Sequence, residues 1–303
     1  MVRSPRWWCG LVLGMCGVCC AQTQSSSVAF TLEDNLVRVP IVLNGQPVEA
    51  VLDSGTGSLG LDHAYAVSLG LKLGDSIGMV PGGGAPEPMF PLTVKHLSFG
   101  PVELSDVPGI ALDLGHISSS SGFAVPVLMG QPVIKDRAMR VDYLHRRVIF
   151  LRPGEEAACA DPLPVTFYGG TPVVTVVLQA TAESEARTLH LILDLGTRHY
   201  AALLGGSFLA TPEAQAMEGR SKEQELGSGT GGVFSGYVGR VATLTVGKRS
   251  FTDLTVALSS HVGAFQAGVV DGSMGVPLWV GGVVTLDYAH GHVCIDVASG
   301  EGK

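Results

Sequence analysis

Apolar and polar residues alternate along much of the chain, in short runs and not at helical spacing. The run from Val37 to Leu43 carries valine, isoleucine or leucine at every second position, which predicts a strand with one buried face. The following "LNGQPV" contains an Asn-Gly hairpin turn. Glycine marks two further hairpins, in "SFGPVEL" and "TVGKRSF". The pattern therefore predicts short, mostly antiparallel strands.

Helical spacing is scarce in this sequence. The best candidate helix covers residues 62–69, where Asp62 can cap the first turn and Gly70 can end the last one. Glycine is abundant, at 41 of 303 residues, and this abundance is typical of many tight turns between strands. The sequence therefore predicts an all-β protein with one or two short helices in each folded unit.

The chain contains the same succession of segments twice. In each copy an apolar run ends in an aspartate, and a later strand ends in a glycine. Gly130 follows Asp53 by 77 positions, and Gly275 follows Asp194 by 81. Because these landmarks keep their order, we predict an internal duplication. The predicted units are a first lobe over 28–152, a linker over 153–164 and a second lobe over 165–299.

The first 21 residues form a separate segment. Arg3 and Arg6 precede the short apolar run "WWCGLVLGMCGV", and small residues end at Ala21. This arrangement predicts a signal peptide over 1–21 and an exported protein, periplasmic or extracellular. Cys16, Cys19 and Cys20 leave a lipid-anchored form open. No later run is long enough to predict a membrane span.

Charge and cysteine content narrow the picture further. The net charge of −8 and the absence of a Lys/Arg-rich run argue against nucleic acid as a partner. Two cysteines, Cys159 and Cys294, lie outside the leader. Export permits a disulfide between them, and two unpaired buried thiols are the alternative. The histidines form no H-E-x-x-H pair, so no metal and no cofactor are expected.

The candidate chemistry lies where two buried strands end. The stretch Val51-Leu52-Asp53-Ser54-Gly55-Thr56, together with the later "VLMG" ending at Gly130, resembles the signature of retropepsin-like aspartic proteases, such as exported bacterial aspartyl proteases. The second copy has "LDLGT" around Asp194 and "SMG" ending at Gly275. The resemblance covers nearly all of residues 28–297. It implies two retropepsin-like β-barrel lobes packed as an intramolecular pseudo-dimer.

The resemblance implies an aspartic endopeptidase in which Asp53 and Asp194 share one proton and activate a water molecule. It also implies a peptide or protein substrate and a monomer with internal pseudo-two-fold symmetry. Other implied roles belong to supporting and flap residues. Ser54 would bond across the lobes, Gly55 and Gly196 would allow tight turns, Thr56 and Thr197 would bond the outer carboxylate oxygens, and Gly82, Gly83, Gly84, Gly229 and Gly231 would form flap tips.

The second motif departs from the family pattern at one position. Leu195 stands where the family has serine or threonine, so the second lobe cannot return the cross-lobe hydrogen bond of Ser54. Two alternatives therefore stay open. In the first alternative to the Asp53/Asp194 endopeptidase, the protein is a catalytically weakened or inactive pseudoprotease that binds a peptide or partner. In the second, it is a homodimer that uses an Asp53–Asp53 dyad.

Overall fold

The computed structural model describes residues 26–80 and 82–297. The predicted signal peptide lies outside these residues. Strands dominate the first half of the chain: β1 (Ser27–Ala29), β2 (Thr31–Glu33), β3 (Leu36–Leu43), β4 (Gln46–Leu52), β5 (Leu59–Asp62), β6 (Gly78–Val80), β7 (Glu87–Phe99), β8 (Val102–Leu112), β9 (Val127–Met129), β10 (Ala138–Asp142) and β11 (Arg147–Phe150).

The second half repeats this composition. Its strands are β12 (Leu163–Pro164), β13 (Thr166–Tyr168), β14 (Thr171–Gln179), β15 (Arg187–Leu193), β16 (Ala202–Leu204), β17 (Gln224–Gly229), β18 (Gly232–Val246), β19 (Arg249–Leu258), β20 (Gly272–Met274), β21 (Val283–Asp287) and β22 (His292–Asp296). The predicted all-β class is confirmed.

The helices are short. They are α1 (His63–Ser68), α2 (Gly115–Ser121), α3 (Gln131–Ile134), α4 (Pro212–Glu218) and α5 (Gly263–Gln266), with 3-10 turns at Gly206–Ala210 and Val276–Leu278. The predicted helix is confirmed as α1, because the Asp62 carboxylate accepts the Tyr65 N–H at its start. Each lobe holds more helical turns than the one or two expected, since single turns such as α3 are too short for a periodic signal. In the described residues no helix combines the length and apolar character needed to cross a bilayer.

The two lobes have the same strand order. The first is an eight-stranded sheet in the order β2-β3-β4-β9-β5-β8-β7-β6, and an extra β3–β7 pairing closes it. The second has the order β13-β14-β15-β20-β16-β19-β18-β17, closed by β14–β18. In both lobes the strand that precedes the aspartate pairs in parallel with the short strand that precedes the landmark glycine. The predicted duplication is therefore visible strand by strand.

The alternating pattern that predicted β3 also explains its packing. Its alternate apolar residues, Val37, Val39, Ile41 and Leu43, are all buried in the core. The three predicted hairpins are confirmed as β3–β4, β7–β8 and β18–β19. The core that includes β3 extends through both lobes, so the lobes are packed together and do not merely share a linker.

A third sheet joins the lobes. Its order is β1-β11-β10-β21-β22-β12, and β10 of the first half pairs antiparallel with β21 of the second, with Arg140 opposite Thr285. A disulfide connects Cys159 of the linker to Cys294 on β22. The end of the predicted linker, Leu163–Pro164, forms β12 at one edge of this sheet. This platform fixes the two lobes against each other.

Candidate active site

Each candidate aspartate immediately follows a buried strand. Asp53 follows β4, and its N–H donates to Met129 O at 3.0 Å. Asp194 follows β15, and its N–H donates to Met274 O at 3.0 Å. Strand β9 or β20 therefore holds the backbone of each aspartate in the same way, and the scaffold beneath is apolar and rigid.

The two aspartates lie close together where the two lobes meet. A Cβ atom at Gly55 would overlap Asp194 Oδ1, and a Cβ atom at Gly196 would lie 2.9 Å from both carboxylate oxygens of Asp53. Glycine is thus the residue that lets each loop approach the opposite carboxylate. The Gly55 N–H donates to Asp53 Oδ1 at 2.8 Å and the Gly196 N–H to Asp194 Oδ1 at 2.7 Å.

The surroundings of Asp53 favour its protonated form. Burial is the largest cause that raises the pKa of this carboxyl well above its usual range. The negative charge of Asp194 and a hydrogen bond between the two side chains raise the pKa further, and the Gly55 N–H opposes them. Two carboxyl groups in hydrogen-bond contact hold one proton between them in the pH range between their two apparent pKa values.

Ser54 connects the lobes directly beneath the dyad. Its side chain is buried, its hydroxyl donates to Leu193 O at 2.7 Å, and it accepts the Leu195 N–H at 3.0 Å. Leu195 is fully buried in the apolar core, so the second lobe offers no matching hydroxyl. The dyad therefore rests on one cross-lobe serine.

The two threonines, which the sequence treats alike, differ in the structure. Thr197 Oγ1 donates to Asp194 Oδ2 at 2.8 Å, as the resemblance implies. Thr56 Oγ1 lies 3.5 Å from Ser58 Oγ. Among the described residues it makes no hydrogen bond to Asp53, which corrects the expectation for Thr56. The outer oxygen of Asp194 therefore has a hydroxyl donor that the outer oxygen of Asp53 lacks.

The residues four positions after each aspartate also differ. A Cβ atom at Gly57 would overlap the Gly169 carbonyl oxygen in the β13–β14 turn. Its counterpart, Arg198, has a 6% exposed side chain and forms an ion pair with Asp34 in the equivalent β2–β3 turn. Arg198 also donates to Ser120 Oγ at 2.6 Å. One lobe contact is thus close backbone packing, and the other is an ion pair between the buried Arg198 and the more exposed Asp34.

The two glycine stretches meet above the dyad. The β6–β7 and β17–β18 hairpins carry them as flaps, and their tips bond to each other: Ala85 N donates to Gly231 O at 2.7 Å, and Gly231 N donates to Gly83 O at 2.9 Å. A Cβ atom at Gly231 would overlap Ala85 O. The predicted flap glycines Gly82, Gly83, Gly84, Gly229 and Gly231 all lie at this junction.

The flaps cover a cleft of about 770 Å³ whose floor includes Asp53 and Asp194. The two walls are chemically different. The first lobe contributes the aliphatic and thioether side chains Ile77, Met89, Ile110, Leu112, Ile117 and Leu128. The second lobe contributes aliphatic side chains as well, and it adds the aromatic side chains Tyr168, Tyr200, Phe234 and Phe265. Such a cleft suits an extended chain with apolar side chains on both sides of the dyad.

Three site residues were not singled out for a role from the sequence. Asp34 and Arg198 meet across 164 positions, and no local motif signals their pairing. Ser273 Oγ lies 2.8 Å from Thr197 Oγ1. A serine inside the buried "GSM" strand is the one signal that could have indicated it.

A second cluster lies away from the cleft. Cys159, His292 and Cys294 have their ligand atoms within 4.8 Å of one another. The two sulfur atoms are bonded to each other, so this cluster offers no thiolate pair to a metal ion in the oxidised protein.

A protein-family model matches most of the first lobe. Residues 39–133 match the family model for aspartyl proteases. The chain is similar to a solved retropepsin-like aspartic protease from Rickettsia conorii, with 17% identity over 41% of this chain and 87% of that chain, at a TM-score of 0.30. A search of curated proteins gave no match. Most of the first lobe thus matches the aspartyl protease family model, and the second lobe repeats the strand order of the first within the same chain.

Proposed function

We propose that the protein is an aspartic endopeptidase that hydrolyses peptide bonds with a water molecule activated by Asp53 and Asp194. The observation that carries the proposal is the contact of these two carboxyl groups at the floor of a flap-covered cleft. Neither a metal nor an organic cofactor enters the mechanism.

The chemistry follows from one proton held by two carboxyl groups. The ionised carboxylate takes a proton from water as the water oxygen attacks the scissile carbonyl carbon. The protonated carboxyl gives its proton to the carbonyl oxygen, and a tetrahedral diol forms. The diol then collapses: the C–N bond breaks, the nitrogen takes a proton, and a carboxylic acid and an amine leave. The dyad returns to its singly protonated form.

The cleft supports an extended peptide as substrate. The β-hairpin flaps present backbone groups above the dyad, and strand-like hydrogen bonds can hold a peptide between flap and floor. The apolar walls accept hydrophobic side chains next to the scissile bond. Closing the flaps excludes bulk water from the carboxyl groups. The Gly83–Gly231 hydrogen bond between the flap tips must open to admit substrate.

The test is cleavage of a peptide library by Asp53→Asn and Asp194→Asn variants, from acidic to neutral pH. Each change is expected to reduce kcat/KM by more than about 100-fold, because each removes one acid–base group. Asp113→Asn is the matched control. It lies in a similar "LDLG" stretch, but its side chain is exposed and bonds the Gly115 N–H, so this variant keeps full activity.

The rival functions give different results. An Asp53–Asp53 homodimer retains activity in Asp194→Asn and loses it in Asp53→Asn. A peptide-binding pseudoprotease, which the missing hydroxyl at Leu195 favours, cleaves nothing at any pH and still binds peptide in calorimetry. Full activity in both asparagine variants contradicts the proposed dyad.

We also propose that the protein works outside the cytoplasm. The predicted signal peptide and the Cys159–Cys294 disulfide support an oxidising compartment. N-terminal sequencing of the protein recovered from cells tests this, and an intact N-terminus would contradict it.

A further inference from the structure

The hydroxyl groups around the dyad are arranged unequally. On the second-lobe side, Thr197 Oγ1 donates to Asp194 Oδ2 at 2.8 Å and lies 2.8 Å from Ser273 Oγ. Ser273 is 2% exposed and sits on β20, next to the strand that ends at Asp194. These three side chains form a continuous chain of hydrogen bonds from the buried strand to the carboxylate.

Among the residues that the structure describes, the first lobe shows no equivalent chain. Ser273 pairs with Leu203 on β16, just as Leu128 pairs with Gly60 on β5. Leu128 is therefore the counterpart of Ser273, and it is a buried apolar residue. The asymmetry around the two aspartates thus originates in a residue outside both Asp-x-Gly motifs.

Counting hydrogen atoms fixes the direction of this chain. A hydroxyl group has one hydrogen to donate. Because Thr197 donates its one hydroxyl hydrogen to Asp194, Ser273 must be the donor in the bond between Ser273 and Thr197. Asp194 Oδ2 can accept this bond in either protonation state, but the bond is stronger to the ionised carboxylate, and so it favours the charge on Asp194. The opposite direction needs a protonated Asp194 and a Thr197 that donates to Ser273. The hydrogen of Ser273 would then be buried without an acceptor among the described residues, which is costly.

We infer that Ser273 is a positioning residue that holds the Thr197 hydroxyl as a donor to Asp194, so that the charge of the dyad resides on Asp194 and the shared proton on Asp53. Building on the proposed function, this assigns Asp194 as the base toward water and Asp53 as the acid toward the scissile carbonyl.

Other titratable groups near the dyad do not interfere. Burial raises the pKa of the Tyr143 and Tyr288 phenols, and the negative charge of the nearby aspartates raises it further. Both phenols therefore stay neutral in the acidic to neutral range. His199 and Arg198 also line the cleft, and both pair with Asp34. They are unchanged in all variants below, so their contribution cancels in the comparison.

The experiment compares the pH dependence of kcat/KM in the unaltered protein, Ser273→Ala and Thr197→Val. The acid limb of the profile reports formation of the monoanion, and the alkaline limb reports formation of the dianion. If the first charge is on Asp194, Asp194 is ionised in both the monoanion and the dianion. Loss of the Thr197 donor therefore destabilises these two forms equally, relative to the neutral dyad. The acid limb therefore moves up, and the alkaline limb stays in place.

We expect an upward shift of the acid limb by about one pH unit in Thr197→Val, about a tenfold change in the first ionisation. Ser273→Ala, which acts through Thr197, should shift the limb by roughly half as much. Ser273→Thr keeps the hydroxyl and should restore the original limb. Ser259→Ala is the matched control: it removes another buried serine hydroxyl of the second lobe, bonded to Ser235 O and His261 N, and should leave both limbs unmoved.

Two outcomes overturn the inference. A shift of the alkaline limb places the first charge on Asp53, and an unmoved acid limb in Ser273→Ala removes the positioning role. Carboxyl ¹³C NMR titration of the labelled aspartates makes the same comparison without turnover, with Asp53→Asn to assign the signals. A protein that cleaves nothing but shows the first ionisation on Asp194, raised in Ser273→Ala, contradicts the proposed function and supports this inference.

Discussion

Ser54→Ala offers the sharpest test of how the two lobes hold the dyad. The Ser54 hydroxyl bonds Leu193 O at 2.7 Å and the Leu195 N–H at 3.0 Å, and the side chain is 2% exposed. Alanine removes the side-chain partner of both of these backbone groups at a buried position. Because Leu195 is apolar and fully buried, no side chain at that position can replace the lost bonds.

The expected loss of stability follows from these two groups. An unsatisfied buried donor or acceptor costs about 1–3 kcal/mol, so the loss of two such partners in Ser54→Ala should lower the free energy of unfolding by about 2–6 kcal/mol. That is a large part of the roughly 5–15 kcal/mol that stabilises a typical folded protein. Activity should fall as well, because the aspartate loops lose their one serine connection.

The assay is urea unfolding followed by circular dichroism, which gives the midpoint and slope for each variant. Ser54→Thr keeps the hydroxyl and is the matched control, with an expected loss well below that of alanine. A loss under about 0.5 kcal/mol in Ser54→Ala, the range of ordinary surface changes, would refute the reasoning. Equal losses in the alanine and threonine variants would attribute the effect to side-chain volume.

Two further predictions concern the contacts that join the lobes. Asp34→Asn leaves the buried Arg198 guanidinium without its counter-ion. The free energy of unfolding measured in urea should fall by about 1–3 kcal/mol, which is less than for a fully buried pair because Asp34 is partly exposed. The same change at Asp106, in an exposed pair with Lys95, should have a much smaller effect because solvent screens the pair; equal costs would contradict a special role for Arg198. Replacing both Cys159 and Cys294 by alanine should lower stability by about 2–5 kcal/mol and make unfolding insensitive to dithiothreitol, whereas a dithiothreitol effect that persists would argue against this disulfide.

Much of the scaffold could be predicted from the sequence because it is set by local patterns. Alternation of apolar residues located β3, the Asn-Gly pair located its hairpin, and Asp62 located the start of α1. Asp53 and Asp194 were found because each ends an apolar strand at matched positions in a repeat. Each of these signals lies within a few residues or follows from a repeated spacing.

The parts that the sequence could not predict depend on long-range geometry. The pairing of Asp34 with Arg198 is made across the lobe interface, and its first-lobe counterpart is an uncharged glycine, Gly57. The difference between Thr56 and Thr197 depends on a third residue, Ser273, on a neighbouring strand. The cysteine pair was left open because two cysteines alone do not specify a bond. Tertiary packing, and not local propensity, decides each of these cases.

Fusion of the two lobes in one chain explains why their sites can differ. In a symmetric homodimer every residue occurs twice, so a substitution such as leucine for serine would remove both cross-lobe bonds at once. Here the shared six-stranded sheet and the linker disulfide already hold the lobes together. Because the two lobes belong to one chain, each is present at a high effective concentration for the other. A single serine contact is then sufficient to connect the aspartate loops.

Because the two lobes can differ, the surroundings of the two carboxyl groups can differ as well. A symmetric dyad has no preferred site for its proton until a substrate breaks the symmetry. In this chain the hydroxyl chain that starts at Ser273 reaches Asp194 alone, and Leu128 occupies the matching position of the other lobe. Under the proposed mechanism, the duplicated protein can therefore assign base and acid before substrate arrives. A substrate should then bind with its scissile carbonyl oxygen toward Asp53, which gives the cleft a fixed chemical direction.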